Sequence, residues 1–379
     1  MLTSLTLRNF KCFDSQDFPL SIVTLLTGQN GMGKSSLIQA LLLLRQSHKA
    51  GSLRNGLLLD GEYVELGTGA DVLYDGAHGP GADQITFELT FAEGSAMSFS
   101  FDALPRSNVL PLVTSSTEAG DVSSLLGSLD GSAPRTALPG FQYLAAERMG
   151  PRAVHPYSVH RVEHRGELGA DGAHVVAFLD EHHSHRVHLQ MQHPEAASDS
   201  LRDQVAAWLA EVSPGIRLNT QAFRALSRSS LEISFTSGKA TSRQMRPTGV
   251  GFGVSYALPV IVALLAGLKG DLILLENPDA HLHPRGQAAM GTLVALAGAS
   301  GVQVICESHS DHFLNGLRIA VKQRKLDAGQ LGIFYFSRTN DGERIRHSVA
   351  APVVDNDGRI SAWPDGFFDQ FDRAMMELL

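Results

Sequence analysis

One short glycine-rich stretch constrains this chain more than any other feature. Residues 28–35 read GQNGMGKS and match the phosphate-loop pattern G-x-x-x-x-G-K-S. The stretch follows an apolar segment at residues 22–27 that is typical of a buried strand, and it precedes SSLIQALLLLRQ, which is rich in helix-forming residues. This order of strand, glycine loop and helix predicts an α/β domain that binds a nucleotide.

The residue types of the loop suit the chemistry of phosphate binding. Glycines allow backbone N–H groups to curl around phosphate oxygens, and the helix that follows adds the partial positive charge of its N-terminus. Lys34 is expected to neutralise the β- and γ-phosphates, and the Ser35 hydroxyl to ligate Mg²⁺. We therefore predict that ATP or GTP binds here with Mg²⁺. The predicted nucleotide contacts are Asn30, Gly31, Gly33, Lys34, Ser35 and Ser36.

A second part of such a site is predicted near residue 276. Residues 272–275 are apolar, and the carboxylate of Glu276 follows them, where an acid can hold Mg²⁺ together with Ser35. A surface glutamate at a strand end is the alternative. Farther on, His309 follows an apolar segment at residues 302–306. We expect it to contact the γ-phosphate or the attacking water, unless it is an ordinary loop histidine.

The rest of the chain predicts an α/β protein with additions. Its 379 residues suffice for two or three structural units, and alternating strands and helices in the last third predict a mostly parallel sheet. Short strand-like runs between residues 57 and 101 predict an antiparallel patch. We expect five segments: an N-terminal core part (1–103), a loop (104–140), an inserted middle region (141–245), a C-terminal core part (246–338) and a C-terminal module (339–379).

Together these features resemble the ABC-type ATPase heads of SMC, RecF and OLD-like proteins, which belong with the AAA-family ATPases of bacteria. The resemblance rests on LTLRNFKCF (5–13), GQNGMGKSS (28–36), ENPDAHLHP (276–284) and SHSDH (308–312). It implies a P-loop NTPase of the ABC-ATPase type. Such a fold is an α/β, mostly parallel sheet flanked by helices, with an attached antiparallel β patch and an inserted helical and loop region.

The resemblance also implies roles for individual residues. Catalytic roles fall to Glu276, Asn277, Asp279 and His309. Gly253 and Ser255 would act as the ABC signature, completing the nucleotide site of a second subunit from a helix N-terminus. Where ABC enzymes carry a catalytic glutamate this chain has Asn277, whose amide is not a general base but can orient a water. Hydrolysis is therefore expected to be slow.

The function implied by the family is that of a switch ATPase. We expect head-to-tail association on ATP, as a homodimer or a higher assembly of dimers. The biological role implied is DNA repair or defence against phage and mobile DNA, with a separately encoded nuclease or toxin-like effector. The alternative is a nucleotide-gated scaffold that hydrolyses little ATP and holds a partner protein. The ATPase subunit of an ABC transporter is a weaker alternative, because the signature is not L-S-G-G-Q.

The charge distribution bears on DNA as a partner. The formal net charge is −8, so no global positive field attracts nucleic acid, and any basic site must be local. Two basic clusters are candidate DNA contacts, although we favour ordinary solvated surfaces for both. They consist of Arg217, Arg224, Arg228, Lys239, Arg243 and Arg246, and of Arg318, Lys322 and Lys325.

Several other patterns are assigned ordinary structural meanings. Nine of the 16 histidines lie between His155 and His193, where we favour a variable surface over a zinc or nickel site. The uncharged run at residues 249–268 approaches the length of a membrane span, but its glycines and proline argue against one. Cys12 and Cys306 are expected to be buried thiols. With no signal-peptide pattern, we expect a cytoplasmic protein with no membrane partner.

The end of the chain resembles a C-terminal module of unassigned function. It is found on one branch of these ATPases and covers residues 357–368 here. From the sequence we expect Trp363, Phe367 and Phe368 to be packing or contact residues.

Overall fold

The computed structural model describes residues 1–116, 140–340, 345–364, 366–368 and 375–378. Its strands are β1 (Leu2–Phe10), β2 (Phe13–Pro19), β3 (Val23–Gly28), β4 (Gly56–Leu58), β5 (Gln84–Phe91), β6 (Ala96–Asp102), β7 (Val109–Ser115), β8 (Phe141–Leu144), β9 (His155–Pro156), β10 (Ile216–Phe223), β11 (Arg228–Ser237), β12 (Ala240–Thr241), β13 (Leu272–Glu276), β14 (Gln303–Glu307), β15 (Leu331–Asn340) and β16 (Ile345–Ala350). Its helices are α1 (Lys34–Lys49), α2 (Gly69–Val72), α3 (Val175–Glu181), α4 (Leu201–Val212), α5 (Phe252–Ala266), α6 (Pro284–Ala299) and α7 (Asp311–Lys322).

The chain divides into two compact units, each made of several segments. Unit 1 comprises residues 1–21, 26–133 and 333–351. Unit 2 comprises residues 22–25, 134–332 and 352–379. The strand β3 begins in unit 2 and ends in unit 1, where the glycine loop follows it.

Unit 1 contains a six-stranded sheet in the order β2-β1-β5-β6-β7-β4, with every neighbouring pair antiparallel. Buried residues alternate with partly exposed ones along β5 and β6, as expected for a sheet with one covered face. Aromatic side chains fill the core: the rings of Phe10 and Phe87 meet edge to face at 5.0 Å. The pair β15 and β16 is antiparallel.

Unit 2 contains the parallel strands. β13 pairs in parallel with β14 on one side and with β8 on the other, and β3 lies next to β14. The strands β13 and β14 are apolar and buried almost throughout, which is typical of a sheet covered on both faces. Around them α6 packs against α7, and α4 packs against α5. Because β13 and β14 are parallel, the residues that follow them lie at the same edge of the sheet.

Unit 2 also holds the inserted middle region. There β11 pairs with β10, β12 and β9, all antiparallel, and α3 packs on β10 and β11. The helix α4 begins at Ser200, whose side chain accepts a hydrogen bond from the Asp203 N–H and caps the first turn.

The structure confirms the predicted α/β class and refines several boundaries. Strand β7 lies inside the predicted loop over 104–140, because Leu110 packs into the core and β7 pairs with β6; residues 117–139 of that segment lie outside the described residues. Strand β8 belongs to the parallel sheet although we assigned it to the inserted region. The uncharged run forms the 15-residue helix α5. In the part of the chain that the structure describes, no helix is long and apolar enough to span a membrane.

The C-terminal segment of unit 2 lies on α7. The Arg318 Nε donates to the Gly358 carbonyl at 2.7 Å, and its guanidinium lies 5.5 Å from the centre of the Trp363 ring. Phe367 is fully buried and contacts Trp363 and Phe368, so all three aromatic residues pack as predicted.

Candidate functional site

The phosphate loop of unit 1 has the left-handed backbone that its glycines permit. Gly28, Gly31 and Gly33 have φ values of 138°, 76° and 98°. Gly28 also passes close to a neighbouring chain segment, because a Cβ there would lie 2.2 Å from the Phe336 carbonyl oxygen. A Cβ on Gly31 would instead project into open space, with nothing within 4 Å. The loop is therefore fixed on one side and open on the other, as a phosphate cradle requires.

Lys34 is the first residue of α1 and is almost fully buried. Its Nζ donates to the Gln29 carbonyl at 2.7 Å, so the side chain folds back across the loop. The N-cap of α1 is Gly33, and no side chain caps that helix end. Backbone N–H groups at an uncapped N-terminus are donors for an anion. The loop thus combines a lysine ammonium and a helix N-terminus.

A cavity of about 680 Å³ lies in unit 1 against the same loop. Its lining includes Lys11, Cys12, Tyr74, His78 and His347. Two of these residues contact the loop: the His347 Nδ1 donates to the Met32 carbonyl at 3.2 Å, and the Cys12 Sγ would lie 2.4 Å from a Cβ on Gly33. Cys12 was expected to be buried but is partly exposed, because it lines this cavity, whereas Cys306 is buried as predicted.

A separate cluster of acidic side chains lies in unit 2, at the ends of β13 and β14. Glu276 is the last residue of β13, and its two carboxylate oxygens accept hydrogen bonds from the Tyr143 hydroxyl at 3.1 Å and the Ala146 N–H at 3.2 Å. Burial raises the pKa of Glu276, and the charge of Glu307 raises it further. Burial and Glu276 also raise the pKa of Tyr143, so its hydroxyl stays protonated and donates.

Arg148 fixes the backbone beyond Glu276. Its buried guanidinium donates to the carbonyl oxygens of Ala145, Glu276 and Asn277, and it lies 5.3 Å from the centre of the Tyr256 ring. Burial lowers the pKa of Arg148 to about 10, which still leaves it charged at neutral pH. Because one planar guanidinium holds three carbonyls, the turn after β13 has little freedom.

The remaining candidate residues of unit 2 lie in the same loops. The Asp279 carboxylate accepts a hydrogen bond from the Ser308 hydroxyl at 2.8 Å, and burial raises the pKa of Asp279. The His309 Nε2 lies 3.7 Å from the Glu307 Oε1. The structure therefore brings the predicted catalytic residues into one group of loops.

The predicted signature residues lie in the first turn of α5, which begins at Phe252. Gly253 packs against the loop after β13, since a Cβ there would lie 2.9 Å from the His281 carbonyl oxygen. The His281 ring contacts Tyr256 at 4.5 Å. His281 therefore joins α5 to the acidic loop.

The basic residues of the middle region are all exposed, and they differ in the residues that they contact. Arg217 of β10 is the cross-strand partner of Ser234, and Arg228 of β11 is the cross-strand partner of Phe223. The two arginines therefore lie on the same face of the strand pair. Arg224 instead forms an ion pair with Glu181 at 2.6 Å. In the second cluster Arg318 holds the C-terminal segment, whereas Lys322 and Lys325 are exposed.

The histidine-rich stretch from His155 to His193 is the place where the sequence left a zinc or nickel site as the alternative. Within the described residues, no group of three or more His, Cys, Asp and Glu side chains is placed to hold a metal ion. His193 shows one of the ordinary roles: its Nε2 lies 3.5 Å from the Glu211 Oε1, and its ring packs edge-on against Trp208.

Three residues of the acidic cluster were not predicted from the sequence. Tyr143 and Arg148 flank the stretch AAE at residues 145–147, more than 120 residues before Glu276, and only the pairing of β8 with β13 brings them close. Glu307 had a usable signal, because it ends an apolar strand just as Glu276 does.

Comparison with known proteins agrees with this geometry. A model of the AAA ATPase domain matches residues 1–91. A model of an AAA domain described with the AbiEii toxin of type IV toxin–antitoxin systems matches residues 152–315. Residues 326–378 match a protein family of unknown function, DUF3696.

A solved structure of an SMC head shares the fold. An SMC head crystallised with the C-winged helix domain of ScpA aligns with a TM-score of 0.56 at 16% identity, covering 93% of this chain and 98% of that one. The SMC head domain from Thermotoga maritima aligns with a TM-score of 0.46 at 15% identity, covering 92% and 98%. The first likeness shows that the chain has the fold of an SMC head, and the two AAA-domain models match separate parts of the chain that carry this fold.

Proposed function

We propose that this protein is an ATP-binding and ATP-hydrolysing switch whose subunits associate when ATP is bound. The observation that carries the proposal is the phosphate loop, with three glycines at positive φ, an uncapped helix N-terminus and the buried Lys34. These groups together suit a chain of phosphates better than any neutral ligand.

The neighbouring cavity supports a nucleoside triphosphate as the ligand. Its volume of about 680 Å³ is enough for a nucleoside, and Tyr74, His78 and His347 offer ring faces and polar atoms to a base. ATP therefore accounts for both features of unit 1, with phosphates in the loop and base and sugar in the cavity.

Mg²⁺ fits the oxygen donors that this chain supplies. We assign Ser35 and Glu276 to it, because hydroxyl and carboxylate oxygens are the ligands that Mg²⁺ prefers. When bound, the ion would neutralise charge on the phosphate oxygens. The hydrogen bonds from Tyr143 and Ala146 orient the Glu276 carboxylate for this role.

Association of two heads would bring the start of α5 to a second subunit's nucleotide. Ser255 lies in the first turn of α5, where a helix N-terminus favours negative charge. A head-to-tail homodimer, or an assembly of such dimers, is the association that we propose. Repair of DNA or defence against phage and mobile DNA, with a separate nuclease or toxin-like effector, is the role that we propose.

The alternative function is a nucleotide-gated scaffold. Asn277 favours it, because an amide cannot accept the proton of an attacking water. A scaffold would bind ATP, associate and hold a partner while turning over little nucleotide.

The binding test compares two lysines on α1. Lys34→Ala should weaken ATP binding at least a hundredfold, measured by titration calorimetry. Lys49→Ala is the matched control, because Lys49 ends the same helix and pairs with Glu62. ATP affinity that is unchanged in Lys34→Ala would refute the proposal.

The switch is tested by mass and turnover in the same samples. Light scattering with ATP·Mg²⁺, with ADP and without nucleotide should show a dimer only with ATP. A dimer with turnover supports the switch ATPase, and a dimer without turnover supports the scaffold. A mass that is the same in all three samples would contradict ATP-driven association.

A further inference from the structure

The sheet of the inserted middle region, which lies within unit 2, has one covered face and one exposed face. Side chains alternate between the two faces along β10 and β11. The helix α3 covers the face of Leu231, because its cross-strand partner Thr220 donates to Asp180 of α3 at 3.0 Å. The opposite face, called here the exposed sheet face, carries Arg217, Asn219, Gln221, Phe223 and Arg228, all of them exposed.

The exposed sheet face carries positive charge at both ends. Arg228 is paired with Phe223, six positions along β10 from Arg217, so about 20 Å separate the two arginine positions. Residues 214–246 contain six basic residues and one acid, in a chain whose net charge is −8. This local excess of positive charge suits an anionic partner.

The hydrogen bonds of this face leave donors for such a partner. The one acid, Glu232, accepts a hydrogen bond from the Asn219 Nδ2 at 3.2 Å. The Arg228 Nη1 donates to the Ser227 carbonyl at 3.1 Å, and a guanidinium has four further N–H groups. Arg228 can therefore bind a phosphate without giving up the contact that orients it.

The surroundings of the two arginines are unequal. Arg217 borders a cleft of about 300 Å³ whose lining also includes the acids Glu195 and Asp203. Those carboxylates offset part of the positive potential at Arg217. Arg228 should therefore contribute more to the binding of an anion than Arg217 does.

An aromatic ring lies beside the stronger of the two cations. Phe223 is 37% exposed, and its pairing with Arg228 places the ring and the guanidinium side by side. Gln221 lies on the same face, and its amide both donates and accepts hydrogen bonds. A ring on which a base stacks, next to cations for phosphates and amides for base edges, is the chemistry that recognises unpaired nucleotides.

The breadth of the sheet favours a single strand over a duplex. The strand β11 has β10 on one side and β9 and β12 on the other. The major groove of a DNA duplex admits a ribbon of two strands, so this sheet is too broad to enter it. A base that stacks on Phe223 must also be unpaired.

We propose that the exposed sheet face binds single-stranded nucleic acid, with phosphates on Arg217 and Arg228 and a base stacked on Phe223. The chemistry recognised is a phosphodiester backbone with unpaired bases, which single-stranded DNA and RNA both supply. The sequence favoured an ordinary solvated surface for this cluster, and the strand pairing that places Phe223 beside Arg228 changes that balance. The inference goes beyond the proposed function and does not require ATP.

The first test measures binding by fluorescence anisotropy, with the full chain and no nucleotide. The probes are a labelled oligothymidylate, an oligouridylate and a DNA duplex, all of the same length. Both single strands should bind at least tenfold more tightly than the duplex. Tighter binding of either single strand supports the inference, and it shows whether the face prefers deoxyribose or ribose.

The second test changes the residues of the face. Arg217→Gln/Arg228→Gln should flatten the slope of log affinity against log salt by about 1.4, because each lost phosphate contact contributes about 0.7. Arg228→Gln alone should weaken binding more than Arg217→Gln alone. Arg217→Lys/Arg228→Lys should keep the wild-type slope, since it keeps both charges.

The aromatic contact has its own prediction. Phe223→Ala should weaken binding of the oligothymidylate at least fivefold without changing the salt slope, and Phe223→Trp should keep the affinity, because it keeps a ring. All three substituted side chains are exposed, so the urea midpoints should stay near that of the wild type.

The matched control is Lys322→Gln/Lys325→Gln. It removes two exposed charges from the second basic cluster and should leave the affinity within twofold. Failure of both single strands to bind, or equal affinity for the duplex, would overturn the inference. So would an unchanged salt slope in the double arginine variant, wild-type affinity in Phe223→Ala, or an equal loss in the lysine control. The proposed function survives each of these results, because none of the measurements includes ATP.

Discussion

The phosphate loop of unit 1 and the acidic cluster of unit 2 are constructed by opposite means. The loop relies on backbone, because its glycines take φ values that other residues resist, and Lys34 is its one buried cationic side chain. The cluster relies on side chains from β8, β13 and β14 that satisfy one another. The phosphate loop should therefore tolerate few substitutions that change the backbone conformation. The acidic cluster should tolerate few substitutions that change charge or hydrogen bonding.

The largest expected effect is on the backbone of the loop. Gly28→Ala should lower the free energy of unfolding by about 3 kcal/mol, because the new Cβ would meet the Phe336 carbonyl oxygen and the left-handed φ is strained. Gly31→Ala is the control: its Cβ meets nothing within 4 Å, so only the cost of φ remains, about 1 kcal/mol. Urea unfolding measures both. Equal losses of stability in the two variants would mean that the contact of the Gly28 position with the Phe336 carbonyl oxygen adds no cost.

A smaller effect is expected where side chains hold the backbone of unit 2. Arg148→Met should cost about 2 kcal/mol of stability, because buried carbonyl acceptors at Glu276 and Asn277 lose their donors. Arg148→Lys should recover only part of this, since an ammonium cannot copy the planar fork. Arg285→Met provides the comparison, because Arg285 makes an exposed ion pair with Glu211. The comparison fails if the two methionine variants lose the same stability.

The smallest effect concerns charge alone. Asp279→Asn keeps an acceptor for the Ser308 hydroxyl and removes a carboxyl whose pKa is raised by burial. With a raised pKa the folded protein binds more protons than the unfolded chain, so the carboxyl's contribution is present at low pH and is lost as pH rises through its folded pKa. The variant should therefore gain stability relative to wild type as pH rises above about 4, the usual pKa of an aspartate. Urea midpoints at several pH values test this, and a constant difference would contradict it.

The same contrast explains what could be predicted from sequence. The loop was found because its glycines and lysine are contiguous and each has a local reason. Glu276 and His309 were found as polar residues that end or follow apolar strands, and the family resemblance added Asn277 and Asp279. Their surroundings were not found, because Tyr143 and Arg148 reach Glu276 only through strand pairing across more than 120 residues. Pairing of distant strands leaves no local pattern.

The predicted loop over residues 104–140 was partly wrong for a related reason. Strand β7 was missed because serine, glycine and proline dominate the composition around it, yet Leu110 and the pairing with β6 place it in the sheet. The exposure of Cys12 depends on the cavity beside it, and no pattern in the sequence predicts that cavity.

The C-terminal segment that lies on α7 carries a tryptophan whose fluorescence reports on the end of the chain. The protein has two tryptophans: Trp208 is 7% exposed and donates from Nε1 to the Met191 carbonyl, whereas Trp363 is 49% exposed and stacks on Arg318. A soluble quencher should therefore dim mainly the emission of Trp363. Because α7 begins two residues after His309, unlabelled protein carries its own fluorescent reporter at a helix that leaves the acidic cluster.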